Sequence, residues 1–253
     1  QSMDEEKAIS RNTKTDFTVY NSIAFNVEKG FHYRSDGVPQ AVIDRISQQP
    51  GVENERYLYR NTSDDTNVQV DYGFEGLELT RNEYGDLKCE GENGYPLAMQ
   101  ADEEGRCYGN VMGASENFWE DMTIFEGEKD PQVLKQKMLT GDYVIVGCDI
   151  DKLTGDPRHT RLTDALQVGD SISFYKDGKI AKTCTILARA TLVGTESETP
   201  STTTAQGQIG GDAPFVFLPD TAFKELYEVP TLLSYGFNVE ESLQPQMEEM
   251  LSS

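Results

Sequence analysis

The stretch LQVGDSISFYKDGKIAKTCTILARA, residues 166–190, reads as a glycine turn, an alternating run, a second turn and another alternating run. Alternation of apolar and polar side chains marks strands whose two faces see different surroundings. Asp177-Gly178 between the runs is a hairpin signal, because glycine accepts the positive φ that a primed two-residue turn requires. Val168-Gly169-Asp170 announces the first of the two strands. Turn chemistry alone accounts for Val168, Gly169, Asp170, Asp177 and Gly178, so these residues are read as a structural hairpin.

Working backward, YVIVGCDI at 143–150 is a near-continuous apolar run, as expected of a strand buried on both faces. DPQVLKQKMLTGD before it places Asp130 as an N-cap, Pro131 at the first helical position and Gly141 as a stop. SENFWEDM at 115–122 reads as a short helical turn capped by Ser115. Working forward, residues 193–213 are rich in Thr, Ser and Gly and form a long surface loop. PFVFLP is then a strand, Asp220 caps a short helix with Phe223, Leu226 and Tyr227 on one face, TLLSYGFNVE is a strand, and Leu243, Met247, Met250 and Leu251 fall at helical spacing.

The first half alternates in kind. DFTVYNSIAFNVE from Asp16 is a strand, and Val38, Ala41, Val42 and Ile46 mark an amphipathic helix stopped by Pro50-Gly51. VENERYLYR, NVQVDYGF and GLELTR are three strand candidates, and RCYGNVMG is a fourth. Between them, residues 82–113 are rich in Gly, Glu and Asn and read as a β-rich insertion with long turns.

With 253 residues, the chain is long enough to bury a core without staples, and its 12 Tyr and 11 Phe argue against disorder. The 44 acidic against 22 basic residues give a formal net charge of -22, the wrong sign for neutralising phosphates, which excludes nucleic acid as a partner. The same charge disfavours anionic lipid surfaces and favours cationic peptides or divalent metal. No window approaches the ~20 apolar residues of a membrane span. Gln1-Ser2-Met3 (residues 1–3) is not a natural start and is read as a scar of tag removal, so the chain is expected to be a piece cut from a longer protein.

Catalytic signatures do not emerge. The glycines lack phosphate-loop spacing, no G-x-S-x-G elbow occurs, and His32 and His159 lie outside any nucleophile context, which makes them exposed loop residues in this reading. Asp149, Asp151 and Asp156 fail the EF-hand pattern at Leu153 and Thr154. Asn61-Thr62-Ser63 matches a glycan acceptor triplet. Four cysteines without a C-x-x-C pair make a zinc site a poor fit. Cys89 and Cys107 flank a polar, glycine-rich segment and could close a disulfide loop in an oxidising compartment, while Cys148 and Cys184 sit in apolar runs as buried free thiols. The expectation is therefore no catalytic residue, cofactor or metal.

The order of these segments resembles the extracytoplasmic, MacB-like periplasmic core domain of FtsX/MacB-type ABC-transporter permeases. TIFEGEKD before a helix, the YVIVG strand, LQVGDSISF opening a hairpin, KTCTILARA closing it, FVFLPDTAFKEL, and YGFNVEESLQPQMEEML follow in that family's sequence, and DFTVYN with QQPGV resembles its start. Residues 62–113 are divergent or inserted. The resemblance implies an α+β, two-lobed extracytoplasmic fold, with an α/β lobe at 4–61 and 114–253 and a β-rich lobe inserted at 62–113. It also implies a domain without catalysis, on the extracytoplasmic face of a bacterial membrane, that moves with its own transmembrane helices and a cytoplasmic ATP-binding subunit. A peptide, lipid or protein would be the further partner. A free-standing secreted or lipid-anchored binding module shares the acidity and the missing catalytic set, and a secreted hydrolase working through Asp/Glu pairs is the third reading.

Overall fold

Hydrophobic runs at the middle of the chain are the first to find their place in the computed structural model, which describes residues 7–10, 15–21, 25–26, 32–33, 37–62, 64–151, 153–191 and 210–252. The described strands are β1 (Lys7–Ser10), β2 (Phe17–Asn21), β3 (Phe25–Asn26), β4 (His32–Tyr33), β5 (Val52–Arg60), β6 (Val68–Asp71), β7 (Thr80–Arg81) and β8 (Leu87–Glu90) in the first half. β9 (Pro96–Met99), β10 (Asn110–Ala114), β11 (Thr123–Gly127), β12 (Tyr143–Cys148), β13 (Ser171–Lys176), β14 (Lys179–Thr191), β15 (Phe215–Pro219) and β16 (Thr231–Val239) follow. Five α-helices join them among the described residues: α1 (Gln40–Ser47), α2 (Pro131–Leu139), α3 (Arg161–Asp164), α4 (Asp220–Leu226) and α5 (Gln244–Ser252).

Eleven of these strands form one mixed sheet in the order β1-β2-β16-β5-β10-β15-β12-β14-β13-β6, with β11 on β14. β14 is long enough to hold two partners along one edge, β13 beside its first half and β11 beside its second, while β12 runs parallel on its other side. The fold is thus α+β, one large sheet with few helices. β7, β8 and β9 make a separate three-stranded sheet, and β3 pairs with β4. Of residues 62–113, β6 and β10 belong to the large sheet and only β7–β9 stand apart from it.

Burial follows strand parity. In β12, Val144 and Val146 pack into the core that also holds Val216, Leu218 and Phe223, whereas Ile145 points to the opposite core with Met112, Leu134 and Phe217. That two-sided burial is what the apolar run at 143–150 predicts. A third core gathers Phe17, Val19, Tyr235 and Phe237 under α1 (Val42, Ile43, Ile46) and α5 (Met247). Segments from the two ends of the chain therefore share one core: β2 pairs with β16, Phe17 opposite Phe237 and Tyr20 opposite Ser234.

Local signals are borne out unevenly. Asp130 caps α2 by accepting from the Gln132 and Val133 N–H groups, with Pro131 at the first position. Ser115 is no cap: its hydroxyl accepts from the Tyr57 N–H across the β5–β10 boundary, and the turn beneath it is a 3-10 turn over Phe118–Asp121. Asp220 begins α4 instead of capping it, since Pro219 holds the cap position. Just before the hairpin, RLTD forms α3, opened by a Thr160/Thr163 capping box. Most of the 193–213 loop lies outside the described residues.

Candidate functional site

Two buried arginines organise the large sheet where its parts meet. Arg56 on β5 has the same parity as Leu58 and Arg60, so its side chain points inward, and it is 3% exposed. Its Nε lies 3.0 Å from Asp121 Oδ2 and its Nη2 lies 3.0 Å from Glu120 Oε2, both on the 3-10 turn after β10. Nε also donates to the Asn117 carbonyl, and Nη1 donates to the Asn54 carbonyl. Thr15, just before β2, donates its hydroxyl to both oxygens of Asp121. One carboxylate thus joins the N-terminal segment, β5 and the 118–121 turn.

Arg189 on β14 does the same at the hairpin. Its Nη1 donates to the carbonyls of Thr163 (2.6 Å) and Leu166, which are the residues leading into Val168-Gly169-Asp170. Its Nε is 3.4 Å from Glu126 on β11, and its Nη2 is 3.6 Å from Asp164, whose carboxylate also meets His159 Nδ1 at 2.8 Å. Below it, the Gly169 N–H donates to the Ile186 carbonyl, the Ile186 N–H donates to the Asp170 carbonyl, and the Asp170 carboxylate accepts from the Gln167 N–H. Gly169 has φ +96, a conformation open to glycine. At the far end, Asp177 (φ +52) and Gly178 (φ +81) make the primed turn expected between β13 and β14. The Asp177 N–H donates to the Asn67 carbonyl, which ties the tip to the start of β6. The five hairpin residues therefore sit at the two ends of one strand pair. Val168 is partly exposed beside the base.

A third polar cluster sits under the C-terminal end of α1. Ser47, Tyr57 and Tyr235 all donate to Glu55 Oε2. Burial, followed by the charge of Glu55, pushes the Tyr57 phenol up to about 12.

The disulfide expected from Cys89 and Cys107 is not formed, and the register explains why. All four cysteines are free and buried. Cys89 on β8 faces Leu97 on β9, whereas Cys107 bridges to Ala101 on β9's other side. Two strand spacings of about 4.8 Å, plus an offset of four residues at about 3.4 Å each, far exceed the reach of a disulfide, about 4.4–6.8 Å between Cα atoms. Burial pushes the Cys107 thiol up to about 12 and those of Cys148 and Cys184 to about 11, so all three are poor nucleophiles at neutral pH.

Other sequence candidates fall into structural roles. Asn61 is not a glycan acceptor: it is buried, donates to the Gly109 carbonyl and accepts from the Val111 N–H. Asp151 stabilises its own turn by accepting from the Leu153 N–H. His159 is half-exposed on Asp164, and His32 lies in β4. Among the described residues no cluster of His, Cys, Asp and Glu could hold a metal, and no helix is long and apolar enough to cross a membrane. What the sequence reading passed over was the arginines. The only signal was parity, since in ERYLYR and LARAT an arginine stands where an inward apolar residue is due.

No family model matches the chain, and no curated protein matches it. Among solved structures it is similar to the periplasmic region of MacB from Actinobacillus actinomycetemcomitans, at 7% identity and a TM-score of 0.42 over 92% of this chain and 78% of that one. It is also similar to the extracellular domain of the noncanonic ABC-type transporter YknZ from Gram-positive bacteria, at 10% identity and a TM-score of 0.32 over 76% of this chain and 87% of that one.

Proposed function

We propose that this chain is a non-catalytic extracytoplasmic domain of an ABC-transporter permease, coupling the movement of transmembrane helices to export, to lipid or peptide handling, or to a regulated partner. The observation that supports it is the pairing of a strand from early in the chain with one from late in it. β2 lies against β16 with Phe17 opposite Phe237, and α1 and α5 cover the same core. A domain strung between two membrane helices requires its incoming and outgoing segments side by side, so that a relative shift of the helices shears one sheet.

In this reading the large sheet is the membrane-proximal lobe, built from 4–61 and 114–253 with β6 and β10 added from 62–113, and the rest of 62–113, with β7–β9, supplies the outer β-rich part. Arg56–Asp121 and Arg189 are the rigid joints through which a displacement passes, and Val168, Gly169, Asp170, Asp177 and Gly178 are the ends of a stiff lever. ATP hydrolysis belongs to a separate cytoplasmic subunit or domain.

The test is an antibody to this chain applied to fractionated cells of its source. A membrane-integral band much heavier than 28.3 kDa, with the epitope cleaved by protease added from outside, supports the reading. A band of about the chain's own mass in the soluble or secreted fraction overturns it.

A further inference from the structure

The small sheet leaves one strand edge open. Ala98 on β9 directs its C=O to the Asp212 N–H and its N–H to the Asp212 carboxylate, away from β8. The hydrogen-bonded pairs between β8 and β9 are therefore Leu87 with Met99 and Cys89 with Leu97. By alternation, Lys88 and Glu90 aim their main-chain groups the other way, toward β7. Lys88 meets Thr80 there, but β7 holds only Thr80 and Arg81, and the chain before it turns away, so Glu90 has no ladder partner on that side among the described residues.

The space opened by this divergence is a groove of about 840 Å³, walled by Leu77 and Glu78 on one side and by Cys89 and Glu90 on the other. An unpaired main-chain donor and acceptor beside a groove is the arrangement that receives an added strand. The charge around it selects the guest. Residues 64–106 carry twelve Asp and Glu against three Arg and Lys. Glu75, Glu78, Glu90 and Glu92 are all exposed on or beside the walls, and Tyr95 next to them is 77% exposed, an open aromatic face for a cation. Lys88 and Arg161 also line the groove and equal Glu78 and Glu90 in number, so the acidic excess lies with Glu75, Glu92 and the rest of the segment around it.

We infer that this groove takes an extended basic peptide, added as a strand along β8 through the main chain of Glu90. The inference stands apart from the transporter reading, since it rests on the small sheet alone and applies equally to a secreted binding module. Main-chain pairing supplies affinity independent of sequence, and the acidic excess of the segment around the groove favours a peptide with lysine or arginine at alternate positions.

Two synthetic peptides of identical alternating Lys-Val sequence test this, one plain and one N-methylated on alternate amides, titrated into the whole chain and followed by fluorescence anisotropy and backbone amide NMR. The plain peptide is expected to bind saturably and shift the Glu90 amide, and N-methylation to weaken binding by roughly tenfold or more through loss of the ladder bonds. Glu90→Lys and Glu78→Lys, both at exposed positions, are expected to weaken the plain peptide while leaving thermal unfolding in place. Equal binding of the two peptides would mean attraction by charge alone and would overturn the inference. Saturable binding that leaves the 88–91 amides unmoved, or no saturable binding at all, would overturn it too.

Discussion

Arg56 Nε and Asp121 Oδ2 stand 3.0 Å apart with both side chains almost wholly shielded from solvent, 3% and 6% exposed. Removing one member of such a pair strands the other charge in a low-dielectric setting. Asp121→Asn is therefore expected to cost about 3–5 kcal/mol, whereas Glu120→Gln, whose carboxylate is half in water, is expected to cost about 1 kcal/mol or less. Urea unfolding of the two variants checks the contrast, and equal costs would mean that Asp121 is not the principal partner.

The thiols and Tyr57 make a pH prediction. Burial raises Cys148 and Cys184 from 9.0 to about 11, Cys107 from 9.0 to about 12, and Tyr57 from 10.0 to about 12. Folded chains then hold protons that unfolded chains have already released, so stability is intact below pH 9 and falls as pH climbs toward 11 and 12. The urea midpoint should decline across that window. A flat profile there would show that these groups are not buried.

The same thiols predict a labelling pattern. In the native protein at neutral pH, a charged thiol reagent should leave Cys107, Cys148 and Cys184 unmodified. In non-reducing denaturant all four cysteines should react, because none is bridged. Protection of Cys89 and Cys107 in denaturant would restore the disulfide.

Much of the second half of the fold was legible because its signals are local. Asp130, Pro131 and Gly141 bracket α2 within one short segment, and Asp177-Gly178 specifies its hairpin without help from elsewhere. The joints were not legible, because their partners are remote: Thr15 and Asp121 are 106 positions apart, and nothing near either announces the other. Ser115 misled for the same reason, as a hydroxyl suited to a helix cap was instead taken by the Tyr57 amide of another strand. Spacing suggested a loop closed by Cys89 and Cys107, and only the β8–β9 register reveals that the two sit on opposite sides of a strand.

At the hairpin tip the cause of any loss can be isolated. A Cβ on Gly178 would meet nothing within 4 Å, so Gly178→Ala introduces backbone strain alone at φ +81. The expected cost is about 1–2 kcal/mol, with the native amide spectrum kept away from the turn. Asp177→Gly relieves the neighbouring positive φ but removes the side-chain acceptor of Asn67, and is expected to be near neutral.

Tyr227 supplies the opposite sign. Its ring stacks on Phe223 at 4.5 Å, and its hydroxyl is fully buried with no hydrogen-bond partner among the described residues. A buried polar group left without a partner carries its desolvation cost uncompensated. Tyr227→Phe keeps the stack and removes that cost, so it is expected to raise stability by about 1 kcal/mol, seen as a higher melting temperature at unchanged cooperativity. A loss of about 1 kcal/mol instead would show that the hydroxyl is satisfied in solution by a trapped water, and that its buried surroundings are hydrated.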